Sequence, residues 1–160
     1  MTDDQPAESI PPPVPLNVVA RGVSVYGRNW TLQAGGTSSR YYTFMNIEFP
    51  GGRVTGGGQG GPPLRPGNLL NCSVHWNDNH AHYLIGRTHP AVKRLCLEFA
   101  NSDPSRVYLE PVGKSDEFGI SFFAEELPAA ADLVNISGWD EGGHCLGNQS
   151  TAHLPGPNPA

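Results

Sequence analysis

The hydrophobic positions along the chain alternate with a period of two far more often than they recur with a helical period. Tyr41 to Phe49 (YYTFMNIEF) is the clearest run. Tyr41, Thr43, Met45, Ile47 and Phe49 share one face, and Tyr42, Phe44, Asn46 and Glu48 share the other. The same alternation predicts strands over Val18–Tyr26, Trp30–Ala34, Arg106–Val112 and Leu133–Trp139, and a buried strand over Phe118–Ala124. Leu69 to Phe99 holds three strand-like runs joined by two short turns. A short last strand begins at His144. Turn signals separate the runs: Gly27-Arg28-Asn29, Pro50-Gly51-Gly52, Asn101-Ser102-Asp103-Pro104, Gly113–Glu117 and Asp140-Glu141-Gly142-Gly143. Glu125–Ala131 has room for one helical turn, which Pro128 limits. About eight to ten short strands, with turns roughly every 8 to 12 residues, predict a single antiparallel β-sandwich.

Composition sets the limits of that domain. The chain has 160 residues, including 20 glycines and 16 prolines. Both ends read as flexible tails: Met1 to Pro15 is polar and proline-rich, and residues 148–160 run out through Pro155, Pro157 and Pro159. Between them, residues 16–147 form one domain of about 130 residues. Gly51 to Gly67 (GGRVTGGGQGGPPLRPG) reads as a long surface loop. Its Gly56, Gly58 and Gly61 match a dinucleotide-binding spacing. The prolines that follow leave no helix to face a phosphate, so the match carries no such function. As a binding loop, the segment would offer Gly56, Gly58, Gln59, Gly61 and Arg65.

Charge removes several functions. The formal charge is −5 and no basic run occurs, so phosphate neutralisation and nucleic-acid binding are not expected. No signal-peptide pattern opens the chain, and no apolar run is long enough to span a membrane, so a cytoplasmic protein is expected. The 3 cysteines, Cys72, Cys96 and Cys145, fit reduced thiols. Asn-x-Ser/Thr triplets begin at Asn29, Asn71, Asn135 and Asn148, and have meaning only in a secreted chain.

Candidate chemistry gathers on one hairpin. Four of the 6 histidines lie within Leu69–Phe99. With an even loop such as Trp76–Asn79, His75 lies opposite His80. Leu70, Cys72, Val74, Trp76, Ala81, Tyr83 and Ile85 then form an apolar face, and Asn71, Ser73, His75, His80 and His82 form a polar one. A three-residue loop moves His75 to the far face and mixes polar groups into the core, at on the order of 1–3 kcal/mol for each unpartnered ring. In the even register His75, His80 and His82 converge, and three histidines form a known catalytic zinc set, with Asp78 near enough to assist from the turn. The bland reading is a solvated polar face.

Other groups are weaker. His144 and Cys145 are neighbours on a strand and point to opposite faces, so one does not readily activate the other. Asp116-Glu117 and Glu125-Glu126 lack any sign of the split environments that acid–base catalysis needs. Trp30, Trp76 and Trp139 suit a sugar platform or, more commonly, a core.

The phrases PPLRPGNLLN, HYLIGRTHPAVKRLCLEF, YLEPVGKSDEFGISFFAEELP and DLVNISGWDEGG resemble an uncharacterised all-β domain of actinobacterial proteins. The resemblance implies a sandwich-like fold and a bacterial lineage, and brings no activity or site residue with it. The sequence reading is therefore a non-enzymatic module that binds a protein partner through a sheet face or the glycine-rich segment. Zinc binding at His75, His80 and His82, with or without catalysis, is the first alternative, and carbohydrate binding the second. Neither nucleic acid nor membrane is an expected partner, and the sequence does not set the oligomeric state. The proline-rich stretch Ile10–Pro15 would suit a tether or a short polyproline ligand.

Overall fold

A computed structural model describes residues 15–77, 80–100, 105–128 and 132–150; within these, the side chains of Thr55, Trp76, Asn77, His80, Ala81 and His82 are left aside. The described residues contain no helix. They form twelve strands: β1 (Asn17–Val23), β2 (Asn29–Gly36), β3 (Tyr41–Glu48), β4 (Val54–Gln59), β5 (Leu70–Asn77), β6 (His80–Thr88), β7 (Arg94–Phe99), β8 (Arg106–Leu109), β9 (Gly113–Ser115), β10 (Ile120–Leu127), β11 (Leu133–Trp139) and β12 (Cys145–Ser150). All pairings are antiparallel, in three four-stranded sheets. Sheet I has the order β1-β2-β3-β4, sheet II β5-β6-β10-β9 and sheet III β12-β11-β7-β8.

Sheet II lies between the other two. Its Leu70, Cys72, Val74, Leu84, Phe123 and Leu127 pack with Leu95, Leu97, Phe99 and Ile136 of sheet III. Its Tyr83, Ile85, Ile120, Phe122 and Ala124 pack with Trp30, Leu32, Met45 and Ile47 of sheet I. Each fully buried Leu or Ile contributes roughly 1.5–3 kcal/mol by leaving water. A sheet covered on both faces needs apolar residues at successive positions, and β10 supplies them as Ile120, Phe122, Phe123 and Ala124.

The two interfaces differ in kind. That between sheets II and III is largely apolar. Between sheets I and II lie Thr43, Arg87 and Glu126, all buried. Tyr41 joins them there, its ring 4.8 Å from that of Phe118 and 5.4 Å from the Arg87 guanidinium.

Several expectations change. Twelve strands replace eight to ten. The glycine-rich segment is not loop throughout, because Val54–Gln59 pairs with β3, Gly57 lying opposite Met45. Gly113–Ser115 is a strand rather than part of a turn, and Glu125–Leu127 continue β10 instead of turning as a helix. The expected C-terminal tail begins too early, since Asn148–Ser150 belong to β12. No helix among the described residues is long and apolar enough to cross a membrane.

The hairpin register also differs. His75 pairs with Tyr83, not His80, and Cys72 pairs with Gly86; the pairing shifts between His75 and Asn77, and Asn77 pairs with His80. Tyr83 and Ile85 consequently face sheet I, while Cys72 and Val74 face sheet III. The single apolar face expected for this hairpin is split between two cores.

Candidate functional site

The glycine-rich segment is where the sequence and the polar interface meet. β4 is an edge strand of sheet I and lies over β5, an edge strand of sheet II. Its inward position Gly57 sits on the Tyr83 hydroxyl and the His75 ring, and a Cβ there would collide with Tyr83. Bare backbone therefore lets β4 close over two rings that stack at 5.0 Å between centroids. Burial pushes the Tyr83 phenol up to about 12 and lowers the His75 imidazole, because each charged form would lose hydration there.

A polar chain runs along this contact. Gln59 Nε2 donates to Ser73 Oγ at 3.2 Å. Ser73 Oγ lies 3.0 Å from His75 Nε2. Ser73 and His75 share a face because they are two apart on one strand.

Arg87 supports the far end of the same segment. It is fully buried on β6, and its partners there are backbone carbonyls and one threonine hydroxyl. Nη1 donates to the Tyr41 carbonyl at 3.2 Å and to Thr43 Oγ1 at 3.1 Å. Nη2 donates to the carbonyls of Gly60 and Pro62, each at 3.2 Å. Burial lowers the guanidinium to about 10, which leaves it charged at neutral pH. One side chain thus ties β3 to the residues that follow β4. A turn then carries Asn68 N–H back to the Arg65 carbonyl at 3.0 Å, with Pro66 and Gly67 at its centre. The positive φ of 81° at Gly67 fits a type II turn.

At the other end of the site, Arg28 pairs with buried Glu126 and lies over the Phe49 ring, 4.8 Å from its centroid. Burial raises the carboxyl of neighbouring Glu125, with the Glu126 charge adding to the effect. Among the described residues, Gln59 Oε1, Arg87 Nε and Glu126 Oε1 are buried without a hydrogen-bond partner, and all three belong to the interface of sheets I and II.

The outer face of sheet I is the accessible part. Phe44 lies over Gly58 of β4, and Tyr42 lies over Gly60 just beyond it, so two aromatic rings cover backbone that has no side chain. Val18, Val23 and Val54 are exposed on the same sheet.

The sequence-derived candidates separate as follows. Gly56 and Gly58 are in β4, Gln59 ends it, Gly61 accepts a hydrogen bond from the Tyr41 N–H at 2.8 Å, and Arg65 is exposed in the turn. Of the proposed metal ligands, only the His75 side chain is described; Asp78 and the side chains of His80 and His82 lie outside the described residues. Among the described residues no group of three His, Cys, Asp or Glu is placed to hold a metal. Trp30 is buried, Trp139 donates from Nε1 to Ser137 Oγ at 3.0 Å, and the Trp76 side chain lies outside the described set. Cys72 and Cys96 are buried and Cys145 is exposed; His144 binds Asp140, with Nδ1 3.3 Å from Oδ1.

Arg87 escaped the sequence reading, and Glu126 entered it only as half of an acidic pair, without its burial. A signal existed for each: a charged residue inside an otherwise apolar run, LIGRT and SFFAEEL. No family model, no curated protein and no solved structure matches the chain.

Proposed function

We propose that the protein is a non-enzymatic binding module that recognises a protein partner through the outer face of sheet I and the glycine-rich segment along its edge. Buried Arg87 carries this reading. Burying a guanidinium is costly, and here three of its four hydrogen bonds hold backbone carbonyls, one on β3 and two just after β4, while the fourth reaches the Thr43 hydroxyl. A segment held in one conformation loses little entropy on binding. Tyr42 and Phe44 supply rigid aromatic area on the surface so held, and exposed Val18, Val23 and Val54 extend its apolar character.

Affinity capture from native lysate with the full-length chain tests the proposal. A Tyr42→Ala, Phe44→Ala variant is run beside it, with its fold checked by thermal melting. The expected result is a protein retained by the natural chain and lost from the folded variant. Equal retention by both contradicts the assigned surface, and no retained protein contradicts the function.

A further inference from the structure

The free edge of β5 presents a second feature, separate from the outer face of sheet I. Among the described residues β5 pairs only with β6. In an antiparallel ladder alternate residues direct both N–H and C=O away from the partner strand. Cys72 is one such residue, because both its groups meet the side chain of Gln149 on β12: its N–H donates to Oε1 at 3.1 Å, and its carbonyl accepts from Nε2 at 2.7 Å. Leu70 and Val74, two positions away on either side, share that outward direction. A primary amide that gives one acceptor and one donor to a single edge residue reproduces what the backbone of an added strand would give.

A cavity of about 640 Å³ adjoins this contact. Leu70–Cys72 line it from β5, the segment before β5 lines it through Arg65, Asn68 and Leu69, and β12 lines it through Leu146–Gln149. We propose that this slot takes an extended peptide segment of a partner protein, which adds to β5 as a strand once the Gln149 amide swings aside. A second copy of this chain does not fit that description. β5 has β4 on one side and β12 on the other, and an identical edge flanked in the same way cannot reach it. The walls are Leu and Asn with Arg65 as the charged residue, so the segment favoured is uncharged or apolar with one acidic residue.

The test titrates the full-length chain with the capped peptide acetyl-Thr-Val-Thr-Val-Thr-Asp-amide, followed by backbone and side-chain amide NMR. The expected shifts fall on Leu70, Cys72, Val74 and the Gln149 side chain. The same peptide N-methylated at alternate amides should not bind. Gln149→Ala, which removes two competing hydrogen bonds, should tighten binding by roughly tenfold. Replacing the peptide's Asp by Lys should weaken it, and Arg65→Ser should erase that difference. Shifts centred elsewhere, equal binding of the methylated peptide, or no binding by either chain would overturn the proposal. So would a Gln149→Ala chain that dimerises through β5 instead of taking the peptide.

Discussion

Arg87 Nη2 donates across the interior to the backbone carbonyl of Gly60, 3.2 Å away and 27 residues earlier in the chain. A charge on the middle sheet therefore sets the path of a glycine-rich segment on the layer above. Arg87→Met keeps the bulk and removes the donors. It strands the carbonyls of Tyr41, Gly60 and Pro62, and the hydroxyl of Thr43, in a buried setting. The expected loss is about 2–4 kcal/mol of unfolding free energy, read from urea denaturation. Arg87→Lys should recover only part of it, since one ammonium cannot reproduce the planar fork.

Gly57→Ala tests the close approach of β4 to the rings below. The added methyl meets the Tyr83 hydroxyl, so a loss of about 1–3 kcal/mol is expected. Tyr83→Phe removes the colliding oxygen. In the double variant part of the Gly57→Ala loss should return, as a favourable coupling in a double-mutant cycle.

His75 gives the fold an acid dependence of known sign. Burial lowers its folded-state pKa below the ordinary imidazole value of 6.5, so the unfolded chain binds the proton more readily. Its contribution is present above about pH 6.5 and is lost as pH falls through the lowered folded value. Glu125 acts oppositely: its raised pKa favours the fold at low pH, and that contribution is lost as pH rises from 4.5 through the folded value. Stability measured from pH 8 to pH 5 should therefore fall less in His75→Asn than in the natural chain.

The strands were mostly legible in the sequence, and their faces were legible where one side meets water. β3 has the expected alternation, with Tyr41, Thr43, Met45 and Ile47 buried. β6 was misread because Tyr83, Leu84 and Ile85 are all buried, toward two different sheets. A strand covered on both faces has no period-two signal, so register cannot be taken from polarity. β4 was missed for another reason. Its GGG carries no side-chain pattern, and its strand geometry comes from pairing with β3 and from the Arg87 contacts just beyond it. The candidate residues of the glycine-rich segment were visible in the sequence, but the buried arginine that shapes it depends on contacts distant in sequence.

The hairpin register has a direct spectroscopic signature. Cys72 and Gly86 form a non-hydrogen-bonded pair, which brings their Cα atoms to about 4.5 Å. A strong cross-strand Hα–Hα nuclear Overhauser effect is expected between them. One between Cys72 and Tyr83 instead would restore the register read from the sequence.

Native-state hydrogen exchange across β4 and residues 60–62 tests the central claim most directly, namely that the glycine-rich segment is a strand held from beneath by Arg87. In the natural chain the β4 amides directed at β3 should be protected. In Arg87→Met their protection should fall before that of β6 and β10. Unprotected β4 amides in the natural chain, or a pattern in Arg87→Met that matches it, would contradict the account.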